Sequence, residues 1–236
     1  MTSDSVIWIT GASSGIGKAA AKEFARIGCK VFASARRVTE LERLNTELGN
    51  EKLSVEVLPL NVASQQNVEQ AANKVLAEGK IDCLINIAGI TSFKTAESNS
   101  VNEIVDIVNT NLLGSIYTIK SVLPSMIEKK EGVIINLLSV VSKKVFTKSS
   151  AYSASKSGLK AYADVLREEV RKHNIKVINI TPGATQTPIW SQDIRKQYGE
   201  RMMSPEEIAR VIVWAFLQKG NLVTEEIVLR PVLGDL

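Results

Sequence analysis

Two kinds of apolar pattern alternate along the chain. Short runs such as "VIWIT" (6–10), "CKVFASA" (29–35) and "GVIINLL" (132–138) are almost continuously apolar and rich in β-branched residues. Between them lie longer stretches in which apolar residues recur every three or four positions. The first pattern predicts strands buried on both faces, the second amphipathic helices. The first half reads as strand 6–10, a glycine-rich turn over 11–17 and a helix over 18–28 stopped by Gly28. Strand 29–35, helix 39–48 with Thr39 as N-cap, strand 53–60, helix 64–79 and strand 82–89 follow. The second half predicts a helix over 101–128 with its end broken at Pro124, then strand 132–138 and a long helix ending near 172. Strand 176–181, a helix over 205–218 and a last strand at 226–230 complete the pattern. This alternation predicts an α/β fold: a parallel seven-stranded sheet with helices on both faces. Ligands of such sheets sit at the carboxyl ends of the strands.

Composition narrows the picture modestly. The 236 residues are 44% hydrophobic, enough for one substantial core, and no linker or repeat divides them, so residues 1–236 read as a single domain. The net charge is +4, but Lys and Arg are interspersed with acids, which predicts a solvated surface and no nucleic-acid partner. Cys29 and Cys83 lie in strand-like runs and read as buried reduced thiols. His173 follows a charged helix, where a surface role is expected, and no zinc site can be assembled. "MTSDSVIWIT" lacks the basic start and apolar core of a signal peptide, and no apolar run reaches membrane-span length. The expectation is a soluble, cytoplasmic protein without a membrane partner.

"TGASSGIG" (10–17) sits between the first strand and the first helix. Glycines there let the backbone approach a pyrophosphate, and the helix N-terminus supplies free amides. The spacing of Gly11, Gly15 and Gly17 departs from G-x-G-x-x-G, so a structural turn is the competing reading. The end of the second strand bears on which nucleotide is bound. An NAD site usually places an acid there, whereas this chain has Arg36 and Arg37. A guanidinium fork matches a phosphate monoester, which favours NADP(H) over NAD(H), with Arg36 as main contact and Ser13 or Ser14 donating a hydroxyl. The alternative is that both arginines are solvated surface charges.

Tyr152 and Lys156, in "AYSASKSGLK", stand at i and i+4 on one helix face. The pair alone is ordinary. "NLLSV" delivers Ser139 to the same sheet edge, beside "NIAG" (86–89).

Together these features resemble the short-chain dehydrogenase/reductase family over nearly the whole chain. The resemblance rests on Thr10-Gly-x-x-x-Gly-x-Gly17, Asn86-Ile-Ala-Gly89, Asn111, Ser139, Tyr152-x-x-x-Lys156, Pro182-Gly183 and Thr187. It implies a Rossmann-type doubly wound domain and a Ser-Tyr-Lys-Asn site. Tyr152 is then the proton donor in carbonyl reduction and the base in alcohol oxidation. Its phenol, ordinarily near pKa 10, would be lowered by the Lys156 ammonium and the oxidised nicotinamide. Lys156 would also hold the nicotinamide ribose, Ser139 would bind the substrate oxygen, and Asn111 would anchor a water in a proton relay. Around the cofactor the resemblance places Gly11, Ser13, Ser14, Gly15, Ile16 and Gly17 on the phosphates, with Asn61 and Val62 near the adenine. Asn86, Ala88 and Gly89 are placed by the adenosine ribose, with Pro182, Gly183 and Thr187 at the nicotinamide.

The chain departs from the family pattern at Asn61, where an aspartate is common, and at Ile87, where a second asparagine is common. The segment at 188–204 is the expected substrate lid, with Trp190, Tyr198, Met202 and Met203 either lining it or packing on the body. The C-terminus lacks the Val-Asp-Gly-Gly signature of 3-oxoacyl-carrier-protein reductases. Its ending looks more like NADP-dependent serine and 3-hydroxy acid dehydrogenases and small carbonyl reductases. The leading expectation is an NADP(H)-dependent oxidoreductase of small carbonyl or hydroxy compounds, assembled as a homo-oligomer (tetramer or dimer). A 3-oxoacyl thioester reductase and a non-catalytic dinucleotide sensor are the alternatives.

Overall fold

A computed structural model describes residues 5–236. Seven strands, β1 (Val6–Thr10), β2 (Lys30–Ala35), β3 (Glu56–Pro59), β4 (Cys83–Asn86), β5 (Gly132–Leu137), β6 (Ile175–Pro182) and β7 (Glu226–Leu229), form one sheet in the order β3-β2-β1-β4-β5-β6-β7. All six pairings are parallel. The chain order reverses between β1 and β4, which opens a crevice at the carboxyl ends of the strands.

The continuous apolar runs are explained by two cores, one on each face. Alternate residues of a strand point opposite ways. Ile7 and Ile9 therefore join a core with α1 (Gly15–Arg26), α2 (Val38–Gly49) and α8 (Pro205–Leu217). Trp8, between them, joins a second core with α3 (Gln65–Leu76), α5 (Gly114–Lys129) and α6 (Ser150–Val170). The buried Trp8 indole N–H donates to the Ser34 hydroxyl at 2.9 Å, so no donor is orphaned.

Two expectations for the helices need correction. Thr39 lies inside α2, whose N-cap position is Arg37, so it does not cap the helix. The 101–128 stretch is also not one helix broken at Pro124. It comprises α4 (Val101–Val108), a π-helical turn at Asn109–Leu113 and α5, which runs through Pro124. Pro124 and Lys120, four residues earlier, are both exposed, so water reaches the carbonyl that lacks its N–H partner. Val122 and Met126, fully buried on the other side, keep the helix on the sheet.

The last row of the sheet before the crevice is polar. Thr10, Asn86, Asn136 and Asn179 are register neighbours across β1, β4, β5 and β6. Thr118 of α5 donates to Asn86 Oδ1 at 2.7 Å. Asn86 Nδ2 donates to Asn136 Oδ1 at 3.1 Å, and Asn136 Nδ2 to Asn179 Oδ1 at 3.4 Å. Asn179 Nδ2 ends the chain on Asp164 of α6 at 3.2 Å. All three amides are buried. Asn136→Ala strands the amide of Asn86 and the carbonyl of Asn179, and should cost about 2–5 kcal/mol of stability in urea titrations. A loss under about 1 kcal/mol would show that the row is not energetically connected.

Candidate active site

The crevice contains a cavity of about 800 Å³, at the large end of ligand sites, which run to roughly 1,000 Å³. Every catalytic or cofactor residue expected from the sequence lines it except Gly17, Asn86 and Asn111.

One end is built by the turn between β1 and α1. Gly11 has φ +75°, and a side chain there would meet the Ala88 backbone at 2.7 Å. A side chain on Gly17 would strike the Gly11 carbonyl. Gly17 thus allows the turn to close without touching the cavity itself. The Thr10 hydroxyl, at the end of β1, accepts from the amides of Ile87 and Ala88 at 3.2 and 3.3 Å, fixing the loop after β4. The first turn of α1 carries no acid, so its amides and dipole present positive potential. The Ser14 side chain does not cap the helix. It accepts instead from Arg37 Nη2 at 2.6 Å, and Ser13 accepts from the same nitrogen at 3.0 Å. Arg37 rather than Arg36 is therefore the guanidinium held against the turn, and Arg36 lines the cavity beside it. The glycine cradle, the free helix amides and this cationic corner together fit a phosphorylated dinucleotide.

Asn61 lines the cavity, and its Oδ1 accepts from the Ala63 amide at 3.2 Å. Thr187 packs so closely on Gly15 that a Cβ there would meet its methyl at 2.9 Å, joining the turns after β1 and β6. Asn86 departs from expectation. Its amide is consumed by Asn136 and Thr118 inside the sheet and does not reach the cavity, because the residue still belongs to the strand.

The other end gathers the residues expected to carry the chemistry. Tyr152 and Lys156 lie on the first turns of α6, and the Lys156 Nζ is 5.9 Å from the Tyr152 ring centre. Ser139, just beyond the end of β5, opens a 3₁₀ turn (Val140–Ser142) and lines the cavity with Tyr152, whose phenol its hydroxyl influences. Burial pushes the Tyr152 phenol up to about 12, and the Ser139 hydroxyl opposes that rise. The expected lowering is thus absent from the chain alone, because desolvation outweighs the neighbouring hydroxyl. Lys156 is buried and donates to the Leu137 carbonyl at 2.6 Å. Desolvation brings its ammonium down to about 8.

Asn111 sits in the π-helical turn, as helix irregularities at functional sites often do. It is fully buried and lies behind the cavity wall. Its Oδ1 accepts from the Ile90 amide at 2.8 Å, and its Nδ2 donates to the Ile90 carbonyl at 2.9 Å and to Ser155 Oγ at 3.0 Å. Asn111 Oδ1 and Lys156 Nζ both approach Gly89, within 3.4 and 3.6 Å of where a Cβ would be.

Of the four residues considered for the 188–204 segment, Trp190 alone lines the cavity. Met202 is buried, and Met203 packs on the body and bonds the 184–186 backbone. Among the cavity residues that the sequence did not single out, Phe93 and Asp235 stand out. Phe93 holds φ +47°, a left-handed conformation costing about 1–2 kcal/mol for a bulky side chain. Its ring stacks on Trp190 at 4.7 Å between centres and 14° between planes. Asp235 reaches the rim from the far end of the chain. Neither carries a local signal, since both enter through tertiary contacts. Among the described residues no group of three His, Cys, Asp or Glu could hold a metal ion, and no helix is long and apolar enough to cross a membrane.

This fold and site define a member of the short-chain dehydrogenase family of oxidoreductases, and the chain belongs to that family: its short chain dehydrogenase model matches residues 5–198. A sepiapterin reductase from Chlorobaculum tepidum is 32% identical over 239 residues, covering 98% of each chain. Among solved structures, an alcohol dehydrogenase from Thermococcus sibiricus complexed with 5-hydroxy-NADP superposes with a TM-score of 0.88 at 29% identity, covering 97% of each chain. A closed serine dehydrogenase complexed with NADP+ superposes with a TM-score of 0.90 at 25% identity, covering 98% of this chain and 96% of that one.

The placement of Lys156 has a consequence for stability. With a folded value near 8 against 10.5, the unfolded chain binds more protons here between those pH values, so this residue makes stability rise with pH across the window. Relative to Lys156→Met, the native protein without dinucleotide should therefore gain roughly 2–3 kcal/mol between pH 7.5 and 10.5. A pH-independent difference in denaturation free energies would contradict the desolvated placement.

Proposed function

We propose that the protein is an NADP(H)-dependent oxidoreductase that interconverts a carbonyl group and an alcohol. The observation that carries this reading is the joining of two ends in one cavity. One end has the glycine cradle with Arg36 and Arg37; the other has Ser139, Tyr152 and Lys156 gathered on one wall. The named NADP complexes among the structural neighbours support it.

The nicotinamide, when bound, supplies or accepts the hydride. The chain does the rest. Ser139 donates a hydrogen bond to the substrate oxygen as negative charge develops. Tyr152 delivers the proton to that oxygen. Its phenol, at about 12, is protonated near neutrality, which is the state that carbonyl reduction requires. Lys156 stabilises the phenolate left behind and holds the nicotinamide ribose. Asn111 positions the water that returns a proton toward Lys156. Arg37, pinned by Ser13 and Ser14, and Arg36 grip the 2′-phosphate. The 188–204 segment closes over the substrate end, with Trp190 as its inward side chain.

Tyr152→Phe should lower kcat for NADPH-dependent carbonyl reduction by about 10²–10⁴-fold while dinucleotide affinity stays near native. Turnover retained in that variant would remove Tyr152 from the proton transfer. Arg36→Ala and Arg37→Ala should each raise the Kd for NADPH by roughly tenfold or more and leave NADH nearly unchanged. An equal loss for both dinucleotides, measured by fluorescence titration, would remove the phosphate assignment.

A further inference from the structure

The walls around Ser139 and Tyr152 bear on what the substrate is. Phe93 and Trp190 stack face to face on one side, bridging the loop after β4 and the segment after β6. Phe146 and Ile189 add apolar surface. Among the described residues, the cations lining the whole cavity are Arg36, Arg37 and Lys156. The two arginines stand at the dinucleotide end, after β2. Lys156 is bound to the Leu137 carbonyl. The substrate walls thus contain no free cation.

They do contain an anion. Asp235 lines the rim, and its carboxylate accepts from Lys144 Nζ at 2.9 Å and from Arg230 Nε at 3.1 Å. Its main-chain carbonyl accepts from Arg201 at 3.3 Å. These bonds tie the loop after β5, the end of β7 and the turn after α7 (Gln192–Tyr198) to the C-terminal segment. Lys144 and Arg230, which flank the rim through Asp235, are therefore engaged by the protein's own carboxylate. A carboxylate or phosphate on the substrate would meet an aromatic wall and cations already taken by Asp235, with no free guanidinium to receive it. Thr91 also lines the cavity, and its hydroxyl is buried in the wall with no hydrogen-bond partner in the structure.

We propose that the substrate is an uncharged carbonyl compound with a flat apolar or aromatic body that lies against the Phe93–Trp190 wall, and that Asp235 disfavours anionic carbonyls by occupying Lys144 and Arg230. The proposal rests on the oxidoreductase reading above. It separates this chain from the small hydroxy acids that its C-terminal resemblance first suggested. The strained backbone of Phe93 fits it, because that conformation is what lays the ring flat on Trp190 at the cavity edge.

The test compares NADPH-dependent reduction of two matched pairs, methyl benzoylformate against benzoylformate and methyl pyruvate against pyruvate. Native kcat/KM should favour each ester over its acid, and the aromatic ester over the aliphatic one, each by roughly tenfold or more. Trp190→Ala should lower kcat/KM for the aromatic ester roughly tenfold more than for the aliphatic one, and Trp190→Phe should restore the selectivity. A structural defect would instead lower all four equally and would not separate the two esters. Asp235→Asn, which leaves Lys144 and Arg230 without their carboxylate, should narrow the ester-over-acid ratio.

Tyr152-dependent turnover that prefers the acids would overturn the substrate class and leave the oxidoreductase reading standing. An unchanged ester-over-acid ratio in Asp235→Asn would overturn the role of Asp235. Silence on all four carbonyls would overturn both.

Discussion

A row of buried amides holds the working edge of this sheet in register. Asn86, Asn136 and Asn179 hand a hydrogen bond from strand to strand, from Thr118 on one flanking helix to Asp164 on the next. A slip of one residue would exchange the side chains of the two cores, and a chain of buried donors and acceptors adds a second constraint that favours the same register. That register is what brings the ends of β1, β4, β5 and β6 to one level. The turn at Gly11, the loop at Ala88, Ser139 and Pro182 all leave the sheet just beyond it. The Thr10 hydroxyl extends the same logic to β1 by holding the amides of Ile87 and Ala88.

The site shows how burial sets the chemistry of two ordinary side chains. Tyr152 is pushed up and Lys156 down by the same desolvation. Each is thereby biased toward its neutral form, and a charge entering nearby changes the balance most where water is excluded. The Ser139 hydroxyl opposes the rise at the phenol and marks where a substrate oxygen would compete for the same hydrogen bonds. The other end of the cavity is solvated and cationic, with Arg36 and Arg37 exposed. One crevice therefore joins a more desolvated end, around Tyr152 and Lys156, to a solvated cationic one.

Much of this was legible because its signals are local. Strand and helix periods gave the α/β alternation, and the i, i+4 spacing put Tyr152 and Lys156 on one helix face. Two adjacent arginines after β2 spoke for themselves, but which of them is pinned by Ser13 and Ser14 is a matter of side-chain direction. Where Asn86 sends its amide is hidden for a related reason: one residue earlier than the loop, the side chain belongs to the sheet, and its partners lie 32 and 50 residues away. Asparagines in three otherwise apolar strands were the available clue. Pro124 was overread because a proline on an exposed face costs a helix less than one facing the core. Phe93 and Asp235 could not have been found from spacing, since a positive φ and a contact spanning 91 residues exist only in the fold.

The central claim is that Tyr152 and its neighbours serve a direct hydride exchange at a carbonyl carbon. Reduction of methyl benzoylformate with NADPH deuterated at the transferable position of the nicotinamide tests it most directly. The product alcohol should carry one deuterium on the carbinol carbon, read by mass spectrometry and proton NMR, with the label absent from product made with unlabelled cofactor. NADPH consumed without deuterium in the alcohol would contradict the account.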